Sequence, residues 1–311
     1  MTRATPILAV LALILAVWYL AVPMANIQWE VDQAARAGTP TNPAGALGAV
    51  LPQTALVLAN PDLIPATYAQ ERPVLPAPHQ IVEELWKTTA GTKLSSKKNL
   101  VYHGLVTLTS TFWGFVVGSL LGIVMAVMIT RSRTVEMGLM PWAIISQTVP
   151  VVAIAPMIVV LSNSAGLGEH LGVENRLVSK VIIAAYLSYF PVLVGMIKGL
   201  RSPDPMQLDL LKTYSASEGQ GFFKLRLPAS VPYLFASLKV GIAASLVGTI
   251  VGELPTGAVE GLGARMLVGS QFGSPIMVWA ALFAAAILGG VLISIVRLAE
   301  GLVTRRMGVR A

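Results

Sequence analysis

Residues 204–228 read DPMQLDLLKTYSASEGQGFFKLRLP. This polar, helix-prone stretch lies between two long apolar runs, 181–199 and 231–252. A charged segment held between membrane-length runs cannot pack in hydrocarbon, so it must sit in water or against a soluble protein. The composition agrees. Hydrophobic residues make up 55% of the chain and charged residues only 12%, against about a quarter charged in globular proteins, and the mean hydropathy is +0.71.

The apolar runs set the architecture. Residues 5–25 are long enough to cross the roughly 30 Å of bilayer hydrocarbon, with Trp18 and Tyr19 near the outer end, where aromatic belts lie. This run exceeds a signal-peptide core and lacks a small-x-small cleavage site, so it reads as a retained anchor. Four further spans follow at 107–129, 139–161, 181–199 and 231–252, and a sixth at 276–296. Residues 44–59 are apolar but short, and Pro52-Gln53 interrupts them, which predicts a re-entrant or interfacial helix. The chain therefore divides into an anchor (1–25), an exterior loop (26–103), a transmembrane core (104–300) that includes the polar loop 200–230, and a tail (301–311).

Charge placement sets the orientation. With six spans both termini share a side with loops 130–138 and 200–230. Those segments hold Arg3, Arg131, Arg133, Lys198, Arg201, Lys212, Lys224, Arg226, Arg297, Arg305, Arg306 and Arg310. The opposite loops are longer yet hold fewer basic residues, four of them clustered as Lys87, Lys93, Lys97 and Lys98. The positive-inside rule puts both termini and the polar loop in the cytoplasm. The net charge of +7 thus reads as topology and not as nucleic-acid affinity.

Asp209-Leu210-Leu211, then Ser215, then Leu225-x-Leu227-Pro228 resembles the cytoplasmic loop of binding-protein-dependent ABC importer permeases. Its pattern is Glu-Ala-Ala, three residues, Gly, nine residues, Ile-x-Leu-Pro. The spacing fits, while Leu210 and Leu211 are larger than the usual alanines and Ser215 replaces the glycine. Leu75-Pro76-Ala77-Pro78-His79-Gln80-Ile81-Val82 resembles the entry into the first conserved helix of the nitrate/sulfonate/taurine branch. Residues 26–74 depart from that branch. The resemblance implies an all-α integral membrane protein of six transmembrane helices, with the type I ABC importer permease fold and an extended exterior loop after the first helix. It also implies a bacterial inner-membrane location, a second permease subunit (identical or a paralogue), a cytoplasmic ATPase docked with Leu210 and Leu211 in its groove, and an exterior solute-binding protein. Selectivity in such systems lies mostly in the binding protein.

Several other residues are mechanistic candidates. Gly114, Gly118 and Gly122 form a smooth stripe on one helix face, and Ala244, Gly248 and Gly252 form another. Such stripes serve close helix packing or a sliding interface. Ser146-Gln147-Thr148-Val149-Pro150, with Pro156 beyond it, predicts two helix breaks, because proline removes a backbone donor and clashes with the preceding turn. The freed carbonyls need cover from protein or a water-filled path, so Gln147, Thr148, Pro150 and Pro156 either line a translocation path or mark a packing kink. Glu253 ends the fifth span; it is either a functional acid at membrane depth or a solvated one just beyond it. The resemblance suggests a gating or structural role for it. Lys239 is long enough to snorkel to the headgroups. Gly261-Leu262-Gly263 with Arg265 resembles the family's exterior Gly-Leu-Gly re-entrant segment; a flexible exterior turn is the alternative.

The chain has no cysteine, which excludes disulfides and thiolate chemistry. His79, His103 and His170 share no ligand spacing, so no metal site is expected. There is no Gly-x-x-x-x-Gly-Lys-Ser/Thr loop, no Gly-x-Ser-x-Gly elbow and no His-Glu-x-x-His helix. ATP chemistry is therefore expected on another chain, and no cofactor is expected here. An ion-coupled secondary transporter would show inverted repeats and acids inside spans, and neither is evident. A non-transporting scaffold would need neither a docking loop nor broken helices.

Overall fold

The computed structural model describes residues 4–42, 45–49, 52–255, 257 and 260–307. Among them all regular structure is helical. Helix α1 (Ala4–Arg36) is followed by the short α2 (Pro52–Ala59), α3 (Ile64–Thr67) and α4 (Pro78–Thr89). Then come α5 (Leu100–Arg131), α6 (Arg133–Thr148), α7 (Val151–Ser164), α8 (Leu167–Leu171) and α9 (Asn175–Leu200). The polar loop holds α10 (Pro205–Thr213) and α11 (Glu218–Gly221), and α12 (Leu227–Glu253), α13 (Leu262–Gln271) and α14 (Pro275–Arg306) complete the chain. Among the described residues five helical runs are long and apolar enough to cross a membrane, and the pair α6–α7, bent by 104° at its break, brings the count to six when taken as one broken span.

The structure refines several sequence expectations. Helix α1 passes the expected end at residue 25 and continues to Arg36. The expected loop 130–138 shrinks to Ser132, which caps α6 by accepting the Val135 N–H at 3.4 Å. Of the two breaks expected in the third span, only that at Val149-Pro150 forms; Pro156 lies inside α7. Neither α6 with 16 residues nor α7 with 14 alone reaches across about 30 Å. Pro52 opens α2 instead of interrupting a helix, because a proline at a first helical position loses no intrahelical bond. At eight residues, α2 extends only about 12 Å.

The chain forms two compact units, Met1–Val101 with Arg265–Ala284, and Tyr102–Ala264 with Ala285–Ala311. In the first, Trp18 packs against Trp279 and Phe283 at ring-centroid distances of 5.0 and 5.9 Å. Its hub is the buried Asn26. The Asn26 side-chain oxygen accepts the N–H groups of Val74 and Leu75 at 2.9 and 3.1 Å. Its amide nitrogen donates to the carbonyls of Thr67 and Leu75 at 3.2 and 2.9 Å. The segment at Val74 and Leu75 has no regular structure to pair its backbone, and this one amide supplies partners for it.

In the second unit α5 and α12 both rest on α9. A Cβ at Gly114 would lie 2.3 Å from Ala184 Cβ, one at Gly118 2.7 Å from the Ala185 carbonyl oxygen, and one at Gly122 2.5 Å from the Tyr189 carbonyl oxygen. From α12, a Cβ at Gly248 would come within 2.9 Å of Ala184 Cα, and one at Gly252 within 3.2 Å of Ile183 Cδ1. Both stripes thus meet α9 inside the chain. In lipid, where burial gains little between apolar helices, such backbone-close contact supplies the attraction. Gly118→Val should force α5 off α9 and lower stability by about 1–3 kcal/mol, read as a lower Tm in detergent. Gly104→Ala, with open space at its Cβ, should leave the Tm unchanged.

Candidate functional site

The loop after α9 is built to project a short helix. The Asp204 carboxylate caps α10 by accepting the Met206 N–H at 2.8 Å, and Lys212 pairs with Asp209 at 2.9 Å along its surface. The helix stops at Ser215, whose φ of +55° is left-handed. The Ser215 N–H donates to the Lys212 carbonyl at 2.8 Å and the Ala216 N–H to the Leu211 carbonyl at 3.0 Å. This 5→2 and 6→1 pair is a Schellman stop, which favours glycine at the left-handed position. The sequence pattern has a glycine at this place for that reason, and the serine here carries the strain.

The two leucines of the expected docking element part company. Leu210 is 56% exposed and shares one face with Met206 at 80% and Tyr214 at 77%. Leu211 is half-buried and, with Leu208, faces a cavity against Thr130, Arg131 and Phe222 of the same chain. The expected pair thus presents two faces of α10: helical spacing points residues 206, 210 and 214 outward and residue 211 toward the rest of the chain. Met206 and Tyr214, missed in the sequence, follow from that same four-residue step. Leu225 lies in a π-helical segment (Phe222–Arg226), and Leu227 and Pro228 open α12.

At the broken span, two tyrosines of α9 hold the last turn of α6. Tyr186 donates its hydroxyl to the Ser146 carbonyl, and the Tyr189 hydroxyl bonds the Ser146 hydroxyl. The final carbonyls of a helix lack intrahelical partners, and inside a membrane such a group is costly. Tyr186 meets that need. Gln147 donates to the Ser146 hydroxyl at 3.3 Å, and Thr148 bonds the Ile145 carbonyl at 2.8 Å and is exposed. Pro150 caps α7 in extended conformation. The tyrosines were not singled out in the sequence, since nothing local ties them to residue 146.

Glu253 is fully buried within protein. Its Oε1 accepts from Thr107 Oγ1 at 2.8 Å and its Oε2 from the Gly263 N–H at 2.7 Å. The Lys180 ammonium lies 3.9 Å from Oε1. Thr107 Oγ1 in turn accepts the Leu262 N–H at 2.9 Å, and His103 Nδ1 accepts the Gly261 N–H at 3.0 Å. Three successive N–H groups at the start of α13, orphans by helix geometry, are thus taken by side chains of α5 and α12. Gly261 has φ +125°, and a Cβ there would sit 2.2 Å from Glu253 Oε1. The Gly-Leu-Gly segment is therefore a clamped turn. His103 and Thr107, one helical step apart, were legible only as a polar pair on one face of α5; their target lies about 155 residues away in sequence. The Lys239 ammonium pairs with the Glu300 carboxylate on α14 at 2.9 Å.

These features define a polytopic membrane protein: membrane-length helices, a broken helix pair, and a capped helix projecting from a polar loop. Residues 118–309 match the family described as "Binding-protein-dependent transport system inner membrane component". The chain is 31% identical over 194 residues to a probable ABC transporter permease protein of Haemophilus influenzae, covering 62% of this chain and 71% of that protein. It is 31% identical over 219 residues to the formylaminopyrimidine transport permease protein ThiX of Halalkalibacterium halodurans, covering 70% and 79%. With the putative aliphatic sulfonates transport permease protein SsuC of Bacillus subtilis it shares 26% over 227 residues, covering 73% and 76%. The chain belongs to the binding-protein-dependent transport system inner membrane component family, as the permease subunit of an ABC importer for a small solute.

Removing the Glu253 carboxylate would strand a buried ammonium and the donors of Thr107 and Gly263. Glu253→Ala should cost about 3–5 kcal/mol, read as a large fall in Tm and faster hydrogen exchange at 261–263. Glu253→Gln, which keeps an acceptor, should lose less.

Proposed function

We propose that the chain forms one half of a dimeric translocation path, with both termini and residues 204–228 in the cytoplasm. An ATPase docks on α10 through Met206, Leu210 and Tyr214. The observation that carries this reading is the exposed apolar stripe on a helix otherwise surrounded by charge; the family's binding-protein-dependent, ABC-type transport supports it. Closure of two ATPases would push the α10 helices together and move α12, whose first turn follows the loop directly. Solute from an exterior binding protein would pass beside the break at Gln147, Thr148 and Pro150 as the dimer changes state. Pro156, within α7, would shape that helix. The two tyrosines that bind Ser146 would keep the break open to polar cargo without exposing bare carbonyls to lipid.

Leu210→Asp should insert normally but lose ATPase co-purification and solute uptake, since an unpaired charge in an apolar groove costs far more than the lost contact. ATPase co-purification and uptake at native levels would rule out α10 as the docking element. Ser215→Gly should keep full coupling and stabilise the loop by about 1 kcal/mol, measurable as slower proteolysis at 204–228.

The orientation is tested separately, in a chain with no cysteine of its own. A cysteine at Ser217 should be shielded from an impermeant thiol reagent in intact cells, and one at Thr39 should react. Labelling of Ser217 from outside would invert the topology.

A further inference from the structure

Helix α4 is tied down at both ends. At its start, Trp18 of α1 donates its indole N–H to the Pro76 carbonyl at 3.1 Å. The Tyr19 ring stacks on His79 at 6.1 Å with an interplanar angle of 11°. Tryptophan and tyrosine on a crossing helix favour the membrane interface. At its far end, Asn99 donates its side-chain amide to the carbonyls of Thr89 and Thr92 at 3.0 and 2.8 Å. The next residue, Leu100, opens the membrane-length helix α5. A 12-residue helix of about 18 Å is too short to cross the roughly 30 Å of hydrocarbon, which leaves the plane of the membrane surface open to it.

Its side chains suit that plane. Ile81 and Thr88 are buried against the protein, while Val82 and Trp86, one turn apart, are 65% and 72% exposed. With Leu15, Tyr19 and Pro78 they line one groove, which continues the exposed apolar side of α1 at Leu8 and Leu11. Lys87 lies in the last turn of α4, and Lys93, Lys97 and Lys98 follow in the exposed turn before α5. This cluster is the main basic group on the side that the positive-inside rule leaves poor in charge.

We propose that α4 is an interfacial helix, with Val82 and Trp86 seated at the boundary of headgroups and acyl chains. In this arrangement Lys87, Lys93, Lys97 and Lys98 bind anionic phospholipid headgroups of that leaflet. An apolar face carrying tryptophan beside a basic flank is the pattern that holds a helix in the plane of a bilayer, and lysines near an anionic surface add attraction. Continuity with the apolar side of α1 identifies the occupant of the groove as lipid.

The full-length protein, reconstituted in phosphatidylcholine with and without phosphatidylglycerol, tests this. Spin labels on Val82→Cys and Trp86→Cys should relax more with oxygen, which partitions into the bilayer, than with a water-soluble nickel chelate. A label on Lys97→Cys should show the reverse. Nickel-accessible labels at 82 and 86 would place α4 in water, and labels shielded from both agents would mean that protein covers it; either result overturns the proposal. The variant with all four lysines changed to Gln should lose its enrichment of phosphatidylglycerol in the lipid shell severalfold. Enrichment unchanged from the native chain would refute the headgroup contact.

Discussion

Helix α9 is the surface on which the permease core is assembled. In water a bundle is held by burying apolar area, but in a bilayer the surroundings of a helix are as apolar as its neighbours, so only shape and dipole contacts discriminate. Glycines on α5 and α12 bring those backbones to within a methyl group of α9. α9 answers with glycines of its own: a Cβ at Gly195 or Gly199 would collide with Ser237 or Ser230 of α12. Serines and threonines at the same contacts add bonds between helices, Ser245 to the Thr111 carbonyl at 2.8 Å and Thr111 to Thr249 at 3.1 Å. Every other feature of the second unit depends on this close approach, because it brings Thr107, Lys180 and Glu253 within reach of one another.

A second constraint is that no backbone polar group can be left bare at membrane depth. The chain meets it by the same means at three places where helices end or bend. Tyr186 bonds the Ser146 carbonyl at the break between α6 and α7. Glu253, Thr107 and His103 take the first N–H groups around α13. Asn26 closes the irregular segment beside α1. In each case a side chain distant in sequence does the work. At these three places the irregular backbone is paired, and the break in the third span is held by α9.

Helix α12 links two of these places. It begins one residue after the π-helical end of the polar loop and finishes at Glu253, a continuous rod of about 40 Å. One end carries the loop with the exposed stripe of α10, and the other clamps the turn at 261–263.

The sequence alone determined the helical class, the number of crossings and the position of the polar loop. These follow from apolar run length and from the spacing of Leu225, Leu227 and Pro228, which are local properties. It also marked the glycine stripes, Pro150 and Glu253 as special, since each breaks a rule for residues in lipid. Only the tertiary structure decided what those residues meet. Periodicity cannot say which side of α10 faces the chain, so Leu210 and Leu211 looked equivalent until Leu211 was found turned inward. An acid at a span's end reads alike whether solvated or buried, until Thr107, Lys180 and the Gly263 N–H close around it. Lys239 could reach headgroups by length, but its partner Glu300 on α14 is visible only once the helices are packed. Pairings between residues dozens to more than a hundred positions apart depend on how the helices pack, and helix packing is a property of the whole chain.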